Sequence, residues 1–160
     1  MRIILTIVNH YLIGVDMNST AITELMIKDH IKLMKYLKDV ENNFGRDFGF
    51  LSDSFNTFQW ALEKHFFVEE RAIFTSYNPD YVDDSYKFFL DLSKQHTLIL
   101  EEIESLRKKL QKREPFDLNK VKKMLQEHKA FEEKKVYPVL DLEIDDSEKR
   151  FIIERINDVL

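Results

Sequence analysis

The stretch from 53 to 77, DSFNTFQWALEKHFFVEERAIFTSY, decides the fold. Its apolar residues do not alternate. Phe58, Ala61, Leu62, Val68 and Ala72 recur at three- and four-residue intervals, the spacing that lines one face of an α-helix. His65 and Glu69 fall on that same face, four residues apart. Asp53 or Ser54 supplies a capping oxygen at the start. Asn78-Pro79-Asp80 supplies a stop, because a residue before proline avoids the helical region. The spacing therefore predicts a helix from 53 or 54 to about 77, with an imidazole and a carboxylate in its inward stripe.

The hexapeptide His65-Phe66-Phe67-Val68-Glu69-Glu70 returns as His128-Lys129-Ala130-Phe131-Glu132-Glu133. Val121, Met124, Leu125 and Phe131 put His128 and Glu132 in the stripe of another helix. That helix is expected from Leu118, capped by Asp117, to Val136, with Tyr137-Pro138 as its stop. Between the two copies, a helix from Asp80 or Asp83 to Lys112 carries His96 among Phe89, Leu92, Ile99, Leu100 and Ile103. Its basic end from Arg107 to Arg113 suits a helix C-terminus, and Pro115 separates it from the helix beginning at Leu118. The first helix, capped by Ser19 or Thr20, carries His30 among Met26, Ile27, Leu33, Met34 and Leu37. It ends near Asn42-Asn43-Phe44-Gly45, and a loop containing Gly45 and Gly49 comes next. A short tail helix runs from Ser147 to Val159. Four long helices thus each bring one histidine to their core face, at intervals of 35, 31 and 32 residues. Ile73 and Phe74 correspond to Val136 and Tyr137, so the chain reads as two similar helical hairpins facing one another across a pseudo-two-fold axis.

With 160 residues the chain makes one domain, and three Gly and three Pro are few for a strand-rich fold. The expected architecture is all-α: an up-down-up-down antiparallel four-helix bundle over 17–160, closed by the short C-terminal helix. Residues 1–16 form an N-terminal arm, or an extension upstream of a start at Met17. The apolar run from Ile3 to Val15 is too short to span a bilayer, and Asn9 and His10 interrupt it. A net charge of −5 without a basic stripe argues against nucleic acid and anionic membrane as partners. The chain has no cysteine, which excludes disulfides, thiolate metal sites, iron–sulfur clusters and a thiol nucleophile, and is compatible with a cytoplasmic setting. It has neither a glycine-rich phosphate loop nor a nucleophile–base pair, so no enzymatic reaction is assigned.

Burying an ionised carboxylate in an apolar stripe is costly unless a cation or strong hydrogen bonds compensate. Any one of the histidines alone reads as an ordinary core histidine, and His65–Glu69 alone as a buried ion pair. Four histidines on four helices, two with the same carboxylate partner, point to a pair of cations held by His30, His65, Glu69, His96, His128 and Glu132. Imidazole and carboxylate without thiolate suit iron, manganese, zinc or copper. The alternative di-metal bundle design places Glu three residues before His. Here those positions hold Leu62, Ser93 and Leu125. Glu70 and Glu133 lie about 100° round the helix from the preceding Glu and are not assigned as donors. His10 lies outside the pattern. Tyr137 reads as core packing at a helix end, and Trp60 as an ordinary core residue.

The order His, His-x-x-x-Glu, His, His-x-x-x-Glu over roughly residues 20–140, with its flanking Glu-Glu and Tyr-Pro, resembles the hemerythrin-like or His-His-Glu cation-binding family. The resemblance implies an up-down four-helix bundle around a non-haem di-iron centre. It puts His30 and His65 on one iron and His96 and His128 on the other. Glu69 and Glu132 would bridge them together with an oxo or hydroxo group; manganese or zinc would suit the same ligands. Oxygen-carrying members have a further histidine one turn from the third, where this chain has Leu92 and Leu100. That departure is similar to the four-histidine branch containing cluster-repair and nitric-oxide-handling proteins. The implied partner is a small diatomic ligand, oxygen or nitric oxide, or the centre cycles in iron redox or repair chemistry. Two other readings fit the residues: a metal or oxygen sensor or iron store whose occupancy controls a partner contact, and a metal-free helical interaction module. The oligomeric state is not encoded in these features.

Overall fold

The computed structural model describes residues 21–76 and 84–160. Among the described residues every regular element is helical. In order these are α1 (Ala21–Asn42), α2 (Phe48–Val68), a π-helical turn (Glu69–Ile73), α3 (Asp84–Gln111), α4 (Asn119–Phe131), a second π-helical turn (Glu132–Val136), α5 (Tyr137–Glu143) and α6 (Asp146–Val159). The expected N-terminal arm, the Ser19 or Thr20 cap and the Asn78-Pro79-Asp80 breaker lie outside the described residues. No helix among the described residues is long and apolar enough to cross a membrane.

Local chemistry explains the boundaries, including two that differ from expectation. The second helix begins at Phe48, not at Asp53 or Ser54, because Asp47 caps it: its carboxylate accepts the Gly49 N–H at 2.8 Å. The preceding turn uses Gly45 at φ +78°, a conformation glycine adopts without steric cost. Gly49 is therefore helical and not part of a loop. At the other end, Tyr137-Pro138 does not stop the chain. The π-turn absorbs one extra residue, and Pro138 falls in the first turn of α5, where its missing N–H is no loss. Trp60 is 63% exposed and not in the core; it lies two positions past buried Phe58, about 200° round the helix. Asp117 behaves as expected, accepting the Asn119 N–H at 2.8 Å.

The core divides into two apolar clusters. One gathers Leu33, Leu37, Phe55, Phe58, Leu62, Ile99, Ile103, Val121 and Leu125, among others. The other gathers Ile22, Met26, Val68, Ile73, Leu92, Val136, Tyr137, Leu140 and Ile152, among others. Each long helix crosses from one cluster to the other, and its histidine marks the crossing. On α1, Met26 belongs to one cluster and Leu33 to the other, with His30 between. On α3, Leu92 and Ile99 flank His96 in the same order. On α2 and α4 the order reverses: Leu62 and Leu125 lie before the histidine, and Ala72 and Val136 after it, in the opposite cluster. A polar layer is thereby sandwiched between two greasy ones.

The tail helices close the second cluster with a buried polar tie. Asp141, 4% exposed, accepts the backbone N–H groups of Ile22 and Thr23 at 3.1 and 2.9 Å. It thus caps the first turn of α1 from a distant part of the chain. The Lys149 ammonium donates to the Asp141 carbonyl at 2.7 Å.

Candidate metal centre

All six residues singled out from the sequence meet in the polar layer. Glu69 and Glu132 are fully buried, and His30, His65, His96 and His128 are at most 3% exposed. Two overlapping groups form: His30, His65, Glu69 and Glu132, and Glu69, His96, His128 and Glu132. In each, one nitrogen or oxygen per residue lies within 4.8 Å of the others. The two carboxylates are common to both.

The way the helices bring this about is repeated twice. His65 and His128 sit near the ends of α2 and α4, and each Glu opens a π-turn. The turns are sealed by Phe74 N–H to the Glu69 carbonyl, at 2.8 Å, and by Tyr137 N–H to the Glu132 carbonyl. Such i→i+5 turns are rare and concentrate at functional sites. Here they hold the carboxylate next to its histidine while the chain bends towards the second apolar cluster.

Each imidazole is aimed by its Nδ1 atom. His30 Nδ1–H donates to Glu133 at 2.8 Å, and His65 to Asp29 at 2.9 Å. His96 donates to Glu70 at 2.9 Å, and His128 to the Gln95 side-chain carbonyl at 3.0 Å. With an acceptor on every Nδ1, the tautomer that this network favours leaves the Nε2 lone pair of each ring pointing into the layer. There the short approaches are His30–Glu132 and His128–Glu132 at 3.1 Å, His96–Glu69 at 3.1 Å and His65–Glu69 at 3.6 Å. Phe66 stacks on His96, ring centres 3.9 Å apart, and meets His128 edge-on, so apolar rings wall the layer on that side.

Despite this crowding, six buried polar atoms lack a hydrogen-bond partner: Nε2 of His65, His96 and His128, Oε2 of Glu69, and both carboxylate oxygens of Glu132. Native interiors seldom leave even a few such atoms unpaired. With the Nδ1 protons assigned as above and the carboxylates ionised, all six present lone pairs to one space, the donor set that a cation takes. Acceptors on the far N–H of each imidazole are the usual companions of metal-binding histidines.

The electrostatics of the metal-free layer are strained. Burial, seconded by His65, pushes His30 down to about 4, and burial pushes His128 down to about 3. Burial acts the same way on His96, but the Glu132 and Glu69 carboxylates beside it prevail and raise it to about 10. The carboxyls diverge. Burial opposes the charge on Glu69, yet His65 and His96 hold it well below the usual carboxylate range. Burial and the charge of Glu69 drive Glu132 well above that range. Burial, then Glu132 and Glu69, lift the Tyr137 phenol well above its ordinary value.

Tyr137 is therefore not only core packing at a helix end. It is fully buried, its O–H donates to Glu69 in a short hydrogen bond, and its oxygen lies 3.4 Å from His30 Nε2. Sequence reasoning also missed Asp29 and Gln95. The available signal was their common place immediately before His30 and His96. Glu70 and Glu133, turned away from the layer as expected, serve the histidines of the other hairpin.

A family model described as the Hemerythrin HHE cation binding domain matches residues 21–140. No curated protein and no solved structure matches the chain.

Proposed function

Because that match spans most of the sequence, the chain belongs to the hemerythrin HHE cation-binding family, and on this premise we propose that it is a non-haem di-iron protein handling oxygen or nitric oxide. His30 and His65 would hold one metal, His96 and His128 the other, and Glu69 and Glu132 both. The observation that carries the reading is the set of six unpaired donor atoms facing one buried space. A metal-free interaction module would have to bury four imidazoles and two carboxyls together with no cation between them, and each buried polar atom left unsatisfied costs about 1–3 kcal/mol.

Once bound, iron supplies one-electron chemistry and coordination of diatomic ligands. The chain's own residues supply the surroundings. Leu92 and Leu100, one turn either side of His96, offer no donor atom, so the ligand set keeps capacity for an outside molecule. Leu33, Met34, Leu62, Phe66 and Leu125, with Lys129, line a narrow and mostly apolar crevice against His30, His65 and His128. Such a lining favours small uncharged molecules. Tyr137 donates to Glu69 and so fixes one carboxylate rotamer. The up-down-up-down arrangement over 17–160 is part of the proposal, and the reversal of cluster order from each helix to the next supports it.

A sensing role has one observation in its favour. The polar layer joins two separate apolar clusters, so occupancy would control how firmly they are clamped together. Elemental analysis of purified protein tests the common premise, with two equivalents of iron expected. Oxygen- and nitric-oxide-dependent changes in the visible spectrum then test gas handling. Stoichiometric metal with no spectral response would favour the sensor or store, and protein without metal would end both readings.

A further inference from the structure

We propose that the two metal positions are unequal, the His30–His65 position binding its cation more tightly than the His96–His128 position, because Asp29 gives His65 a buried anionic partner where His128 has only neutral Gln95. The inference rests on the metal-binding reading above and deepens it.

The hairpins are related residue by residue. Asp29 precedes His30 and serves His65; Gln95 precedes His96 and serves His128. Glu133 serves His30 and Glu70 serves His96. The geometry is nearly identical at all four bonds, between 2.8 and 3.0 Å. The charges are not. Around His30 and His65 both acceptors are carboxylates, with side chains 24% and 7% exposed. Around His96 and His128 one acceptor is Glu70, whose side chain is 44% exposed, and the other carries no charge.

An anionic acceptor on Nδ1–H leaves more electron density at Nε2 and makes the imidazole a stronger ligand. It also adds negative potential at the cation, more effectively when solvent is excluded. Asp29 and Glu133 therefore both strengthen their position, whereas solvent screens Glu70 and Gln95 contributes only orientation. Lys32, 3.7 Å from Asp29 Oδ1, and Lys129, 4.0 Å from Glu133 Oε1, offset part of this field. They do not cancel it, because their side chains are 39% and 35% exposed while those of Asp29 and Glu133 are 7% and 24% exposed. Glu69 and Glu132 contribute to both positions and do not discriminate.

The test is a titration of the metal-free full chain with Co²⁺, monitored by calorimetry and by competition with a chromophoric chelator. Wild type should bind two equivalents in two steps, separated by about ten- to hundred-fold in affinity, the usual reach of hydrogen-bond partners behind metal ligands. Asp29→Asn should weaken the tight step by a similar factor and leave the weak step in place. Gln95→Glu should strengthen the weak step; being a gain of affinity, that result does not depend on a substitution tolerated only at a loss. Their combination should reverse the order, with His128→Ala then removing the tight step. Two equal steps in wild type, or Asp29→Asn weakening both steps alike, would overturn the inequality while leaving two-metal binding intact. Binding of no cobalt at all would instead overturn the metal-binding reading and this inference with it.

Discussion

The segments Glu69–Phe74 and Glu132–Tyr137 have the same backbone and opposite electrostatics. Each starts on a fully buried glutamate four residues after a core histidine, and each closes a π-turn on that glutamate's carbonyl. They differ at their last residue. Tyr137 reaches across to Glu69 with a hydroxyl. Phe74, its counterpart, has none to offer Glu132 and packs against Phe89 instead. His65 and His96 hold Glu69 ionised, and Glu132, beside that established negative charge, is driven towards its neutral form. A repeated sequence thus supplies the frame of a two-fold site, and single substitutions at equivalent positions make its halves distinct.

Metal loading should abolish that contrast, since both carboxylates then face the same cations. It is also the largest effect expected. Each ion at a thousand times its dissociation constant adds about 4 kcal/mol, so calorimetry with and without chelator should show a large fall in melting temperature on metal removal.

In the metal-free protein the contrast predicts a stability maximum near neutral pH. His30 and His128 are depressed to about 4 and about 3, so below 6.5 the unfolded chain binds more protons and stability falls with acidification. Glu69, also depressed, adds to the loss on the acid side. His96 is raised to about 10, so its contribution is complete below 6.5 and is lost as pH climbs through 10. Glu132, raised as well, disfavours folding as pH rises. Urea melts from pH 4 to 10 should trace this two-sided curve, and metal loading at pH 7 should release about two protons, one from His96 and one from Glu132, read from the buffer dependence of the binding enthalpy.

Replacing the carboxyls separately sharpens the comparison. In chelated protein Glu69→Gln should cost about 3 kcal/mol, because it removes an anion from a buried, partnered position. Glu132→Gln exchanges one neutral group for another and should stay within about 1 kcal/mol. Equal costs in denaturant unfolding would mean that the two turns are equivalent after all. Tyr137→Phe deletes the hydrogen bond to Glu69 and should cost about 1 kcal/mol in the same assay.

Helical periodicity and the repeated His-x-x-x-Glu made the long helices and the six converging residues legible in the sequence. What stayed hidden has physical reasons. Asp29 and Gln95 fall just off the inward stripe, and their work is done on the histidine of the neighbouring helix, which no single-helix wheel displays. The role of Tyr137 depends on a contact 68 positions away. The π-turns insert one residue without changing which residue types are apolar, so Pro138 reads as a stop when it is the start of α5. Asp47 was hidden by a stronger apparent cap at Asp53 and Ser54.

The Asp141 tie has a consequence for biosynthesis. Among the described residues, the first turn of α1 takes its side-chain acceptor from 118 or 119 positions later. During translation at about 5–20 residues per second, the opening helix emerges on the order of ten seconds before this partner. Nascent chains halted before that aspartate would lack the tie, and the ribosome would have to release Asp141 itself before the two ends of the fold are joined.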